Sequence, residues 1–202
     1  MEKQIVVAVT GASGSIYALR LVAELLTAGR HVTLLATASG LDVLRYDTGH
    51  DLEGGPRERT LLLRDYFGGS GQLSHYDAGD LFAPVASGSS APEAVVIVPC
   101  SMGTAGRLAA GVSENLIERA ADVALKERRP LVVVPRETPL NTIHLENLLR
   151  LARAGAHILP AMPAYYHLPK KVEDLVDYLV GKILDSLGVE HRLFQRWGEA
   201  EK

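Results

Sequence analysis

The chain has 202 residues, 47% hydrophobic and 22% charged, with 21 basic against 24 acidic side chains and a net charge of -3. That length suits a single core, and the apolar share excludes a disordered chain. The charge balance excludes a global positive field that would recruit nucleic acid or an anionic membrane, so any anion must be held by a local cluster.

The chain reaches an apolar run directly after Lys3, without the cationic and apolar regions of a signal peptide. No apolar stretch approaches the roughly 18 residues of a membrane span. The lone Cys100 cannot form an intrachain disulfide, and no Cys/His spacing suggests zinc. These features predict a cytoplasmic protein with no metal site.

Ile5 to Val9 is a continuous β-rich run, followed by a glycine turn and then a helical pattern through Leu19, Leu21, Val22, Leu25 and Leu26. Ala28-Gly29 ends that helix, and His31 to Ala36 supplies a second strand, which makes a right-handed βαβ unit. Asp47 to Pro56 and the glycine-rich Phe67 to Gly71 read as mobile loops. Further strands are expected at Ala94 to Val98, Leu131 to Val134 and His157 to Leu159, with helices near 113–128 and 140–154 between them. The apolar stripe from Val172 to Leu187 predicts a final helix. The whole is a single α/β domain, a three-layer doubly wound parallel sheet of Rossmann or flavodoxin type, whose ligand crevice lies beyond the carboxyl ends of the strands.

Two turns follow strands in equivalent places. The first, Thr10-Gly11-Ala12-Ser13-Gly14, lets backbone approach a ligand and aims free helix N–H groups at it. It lacks the three-glycine dinucleotide fingerprint, and no acidic residue ends the second strand at Leu35-Ala36-Thr37-Ala38-Ser39 to grip a ribose. The same turn also reads as a tight strand-to-helix connection with no ligand. The second, Pro99 to Thr104, offers the hydroxyls of Ser101 and Thr104, whereas Cys100 reads as a small buried apolar residue. Arg136 and Glu137 stand at a third strand end, where this fold places ligands. Arg119 and Lys126 are seven apart and share a helix face within about 20°. That face reads equally as a solvated one, as Arg128 and Arg129 do. Lys182, on an otherwise apolar helix, also reads as a lysine that reaches to solvent, and Tyr165-Tyr166 as a packed pair.

These segments together resemble the UbiX-type flavin prenyltransferases, within a flavoprotein group that also holds FMN-dependent cysteine decarboxylases. The resemblance rests on Thr10 to Tyr17, Ala86 to Pro92, Asn115 to Pro130, Val134 to Glu137, Ile143 to Asn147 and the ending Arg196-Trp197-Gly198-Glu199. It implies FMN contacts from Gly11, Ala12, Ser13, Thr37, Ser101, Met102, Gly103, Thr104 and Arg136. It implies a dimethylallyl phosphate site with Ser89, Ser90, Arg119, Lys126, Arg136, Tyr166 and Lys182. The family often carries arginine at position 182 and serine at position 37. Lysine gives a point charge without the bidentate fork of a guanidinium.

The resemblance further implies metal-free transfer of a prenyl group to N5 and C6 of reduced FMN, with Glu137 as proton acceptor, Ser13 as relay and Lys126 among the cations that meet the departing phosphate. Asp47 stands where the family has a longer glutamate. Trp197 is expected either to stack on the flavin or to make an oligomer contact. The family is a dodecamer, which places residues 172–202 at a subunit interface, and its product serves UbiD-type decarboxylases. A cysteine decarboxylase would want a Pro-Ala-Ser-Ala-Asn-type loop where this chain reads Ala86-Ser87-Gly88-Ser89. A non-enzymatic flavin carrier would leave the cations at positions 126, 136 and 182 without a purpose.

Overall fold

The computed structural model describes residues 4–69 and 71–198. Six parallel strands, β1 (Gln4–Val9), β2 (His31–Ala36), β3 (Leu73–His75), β4 (Ala94–Cys100), β5 (Leu131–Pro135) and β6 (His157–Ile158), form one sheet in the order β3-β2-β1-β4-β5-β6. The order reverses between β1 and β4, so a ligand crevice belongs outside their carboxyl ends.

Parallel strands covered on both faces carry apolar side chains on both, and alternate residues of β1 sort accordingly. Ile5, Val7 and Val9 pack with α1 (Ser15–Thr27) and α7 (Val172–Leu187). Val6 and Ala8 pack with Ile117, Ala120 and Ala124 of α5 (Leu116–Lys126) and with Leu148 and Leu151 of α6 (Thr142–Arg153). The doubly wound architecture expected from the apolar runs is present, and α7 has the expected bounds.

Three helices and one strand were not anticipated. α2 (Ala38–Thr48), α3 (Pro56–Tyr66), β3 and α4 (Met102–Ala109) occupy stretches given no element, and overlap the expected loops and turns only at Asp47–Thr48, Pro56 and Met102–Thr104. Asp47 therefore lies in the last turn of α2 rather than in a loop, and Pro56 opens α3. α3 buries only Leu63, so its sequence shows no apolar stripe. α2 buries Gly40 and Leu44, again too few for a periodic signal. Two 3-10 turns, Pro84–Ala86 and Gly88–Ser90, carry the connection into β4. No helix among the described residues is long and apolar enough to cross a membrane.

Candidate active site

At the reversal point one buried hydroxyl ties two turns together. Thr10, fully buried, donates through Oγ1 to the Pro99 carbonyl at 2.9 Å and accepts the Ser101 N–H at 2.7 Å. The turn after β1 and the turn after β4 are thereby locked side by side. The third turn joins them: Arg136 Nε donates to the Ser13 carbonyl at 2.9 Å. The Arg136 backbone N–H donates to the Cys100 carbonyl at 3.2 Å. Glu137 is exposed beside it, its carboxylate accepting the Thr138 N–H at 3.0 Å.

Two helices begin at this crevice with hydroxyl caps. Thr37 Oγ1 accepts the Gly40 N–H at 2.9 Å, and Ser101 Oγ accepts the Thr104 N–H at 3.3 Å. A side chain at Gly11 would stand 2.6 Å from Ser39 Oγ, so the first turn has room for backbone only. Gly11, Ser13 and Gly103 are exposed while Ala12, Met102 and Thr104 are buried beneath them. Backbone faces, small hydroxyls and a guanidinium on one rim fit a flavin phosphate and a planar polar ring.

The N-terminus of α1 is differently occupied than the turn alone suggests. Asp47 Oδ2 accepts the N–H groups of Gly14 at 2.7 Å and Ser15 at 3.1 Å, and Oδ1 accepts the Ser13 hydroxyl at 3.0 Å. Partial burial works against the charge of Asp47, but these hydrogen bonds outweigh it and hold the carboxyl below its ordinary range. A carboxylate from α2 thus caps α1 across 33 residues of chain, and the shorter aspartate reaches Ser13.

Other expected residues lie elsewhere. Lys126 pairs with Glu127 at the end of α5, beside Gly88, where a side chain would strike both. Arg119 Nε holds the Ala86 carbonyl at 2.9 Å and its NH1 pairs with Asp122 at 2.6 Å, so it fixes the turn that carries Ser89 and Ser90. The Ser90 hydroxyl donates to the Pro84 carbonyl at 2.8 Å, and Ser89 Oγ lies 2.9 Å from Ser87 Oγ. This cluster precedes β4 and β5, at the amino edge of the sheet, whereas Ser101 and Arg136 follow the same strands. Seven residues of β4 separate the edges, roughly 20 Å.

A third group gathers on α7. Tyr166 meets Trp197 edge-on at 5.2 Å and Tyr178 at 5.9 Å, and Lys182 pairs with Asp185 at 3.5 Å. Trp197 is 80% exposed, and Glu199 lies outside the described residues. Cys100 is fully buried, and desolvation pushes its thiol up to about 12, in keeping with an apolar packing residue.

Sequence reading missed two residues that shape the second turn. Glu118, fully buried on α5, pairs with Arg107 of α4, which also donates to Thr104 Oγ1 at 3.3 Å. Burial raises the Glu118 carboxyl, but Arg107 and the Glu114 N–H more than offset it. A glutamate inside an otherwise apolar helix stripe is the signal that could have revealed it.

A doubly wound sheet with a small-residue, hydroxyl-lined crevice at its reversal point defines a nucleotide-type cofactor protein. The chain belongs to the Flavoprotein family, which matches residues 1–184. The protein named Flavin prenyltransferase UbiX from Alkalihalophilus pseudofirmus is 52% identical over 200 residues, covering 98% of each chain. The crystal structure of AnUbiX in complex with FMN and dimethylallyl pyrophosphate is similar at a TM-score of 0.88 and 36% identity, over 100% of both chains. That of a dodecameric FMN-dependent UbiX-like decarboxylase from Escherichia coli O157:H7 is similar at a TM-score of 0.84 and 35% identity, over 96% of this chain and 98% of that one.

Proposed function

We propose that the chain is a flavin prenyltransferase that joins the dimethylallyl unit of dimethylallyl phosphate to reduced FMN and delivers the product to UbiD-type decarboxylases. The observation that carries this reading is the junction at the carboxyl edge, where Arg136 reaches the Ser13 carbonyl beside Glu137, in a chain 52% identical to a flavin prenyltransferase over almost its whole length. Bound reduced FMN supplies a nucleophilic N5 and an adjacent C6. Gly11, Ala12, Ser13, Thr37, the turn from Ser101 to Thr104 and Arg136 hold it in the crevice.

Charge builds on the phosphate oxygens as the C1–O bond breaks, and cations aimed at that position lower the barrier. Lys126, Arg136 and Lys182 carry that role, with the Tyr166 hydroxyl and the hydroxyls of Ser89 and Ser90 as donors and Arg119 fixing the serine turn. The second bond, from prenyl C3 to C6 of the flavin, consumes the C2=C3 double bond of the prenyl unit: C2 takes up a proton and C6 gives one up. Glu137 accepts the C6 proton, with the Ser13 hydroxyl as relay and Asp47 orienting that hydroxyl. Lys126 and Arg136 stand at opposite edges of one sheet, which supports a donor site completed between copies of the chain, in a homo-oligomer such as a dodecamer.

Incubation with reduced FMN and dimethylallyl phosphate, followed by mass measurement of the flavin, tests the reading. Gain of a C5H8 unit is expected. An unchanged flavin, with FMN still bound, would leave a carrier or a decarboxylase.

A further inference from the structure

Asp185 of α7 is a convergence point for the segment that follows the helix. Its carboxylate takes Arg196 at 2.7 Å on Oδ1 and 3.3 Å on Oδ2, and His191 Nε2 at 3.2 Å on Oδ1. Lys182, one turn earlier on the same helix, stands 3.5 Å from Oδ2, at the edge of hydrogen-bond range. The segment is seated by shape as well as charge. Phe194 lies over Gly181 so closely that a side chain there would come within 2.4 Å of its ring, and His191 is buried against the same notch. The seated segment carries Trp197 to the edge of Tyr166. Around the Tyr166 hydroxyl, desolvation and Tyr178 push the pKa up while Lys182 and Arg196 pull it down, so both cations act at one spot.

Of two cations sharing one carboxylate, a guanidinium gripping it with two prongs outcompetes a flexible ammonium. With Arg196 and the His191 ring nitrogen nearer to Asp185, Lys182 is the most loosely held of its three partners. Without them, Asp185 and Lys182 are an i,i+3 pair on one helix and would close on each other. We propose that the docked segment from Gly188 to Gly198 is a latch that sets donor affinity, in which Arg196 takes the nearer contact on Asp185, 2.7 Å against 3.5 Å for Lys182, and so loosens that carboxylate's hold on the lysine and frees it for the phosphate of the prenyl donor. Arg196 and Asp185 are positioning residues acting through Lys182. This rests on the reading above that Lys182 meets the phosphate.

The test is a double-mutant comparison in the full-length protein, with KM for dimethylallyl phosphate and kcat measured at saturating reduced FMN. R196Q should raise KM about tenfold and leave kcat within about twofold, because Asp185 then captures Lys182. D185N/R196Q, which removes the capturing carboxylate, should return KM to within about threefold of the unmodified protein. A segment that merely stabilises the fold would show no such rescue, since the double variant loses more contacts than the single one. An R196Q enzyme with unchanged KM, or a double variant no better than R196Q, overturns the latch. K182M separates the two layers of the argument: it should raise KM in every background. If K182M leaves KM unchanged, the phosphate role of Lys182 falls and the latch with it; if K182M raises KM while R196Q does not, only the latch falls. Should R196Q fail to fold, R196K, which keeps the charge but loses the fork, is expected to show an intermediate KM, and a KM equal to that of the unmodified protein counts against the proposal.

Discussion

Glu137 is exposed just after β5, and among the described residues its carboxylate accepts the neighbouring Thr138 N–H, so exchanging it changes little else. Glu137→Gln is expected to leave FMN binding intact, read by quenching of flavin fluorescence, while slowing prenylated-flavin formation about 100-fold or more. Normal turnover in that variant would remove Glu137 from the chemistry. Asp47 plays a different part, as a remote cap with a carboxyl held ionised well into acid. Asp47→Ala strips α1 of the side-chain acceptor for the Gly14 and Ser15 N–H groups and should cost about 1 kcal/mol in denaturant unfolding, besides loosening Ser13. The place of Glu137 after a strand was readable in the sequence, while its role as proton acceptor rests on the family resemblance. The Asp47 cap was not readable, because its partners are 33 residues away.

At the scale of elements, α2 and β3 depend on contacts that no local pattern announces. α2 lies so close to the end of β1 that a side chain at Gly40 would come within 2.5 Å of the Val9 carbonyl. Gly40→Ala must therefore push the helix off the backbone, with an expected loss of about 1–3 kcal/mol and a weakened FMN site, since Thr37 caps the same turn. An unshifted melting midpoint would show that the contact yields without cost. β3 is held by His75, buried, whose Nδ1 lies 2.9 Å from the Leu34 carbonyl and whose Nε2 has no hydrogen-bond partner among the described residues. Burial is the main force lowering its pKa from the ordinary 6.5. The unfolded chain therefore binds a proton at a pH where the folded chain does not. The stability contributed by neutral His75 is complete above about pH 6.5 and is lost as pH falls below it. Melting between pH 7.5 and 5.5 should show this slope in the native protein and a shallower one in His75→Gln; parallel slopes would assign the effect to other groups.

At the scale of the molecule, the decisive feature is that the cations and hydroxyls proposed for the donor site are split between the two edges of one sheet. If Lys126 of one copy completes the crevice that holds Arg136 of another, co-assembled Lys126→Met and Arg136→Met chains should form some sites with both residues intact. Activity in the mixture well above that of either variant is expected; a mixture no better than its parts, with mixed oligomers verified by mass, would place both cations in a single subunit's site. The one-dimensional order of motifs suggested an interface between subunits but could not locate it, because it does not reveal which end of a strand a neighbouring loop occupies.

The continuous apolar runs, the glycine and hydroxyl turns after them and the 16-residue stripe of α7 determined the doubly wound sheet and its crevice from sequence alone. They could do so because burial on both faces and a turn needing backbone without side chain each leave a local mark on composition. Only the tertiary structure decided that Asp47 caps α1, that Glu118 and Arg107 brace the second turn, that Lys126 sits at the far edge and that the segment after α7 folds back on Asp185. Each of these is a contact between residues on separate elements, set by how the layers pack, and such contacts carry no periodicity along the chain.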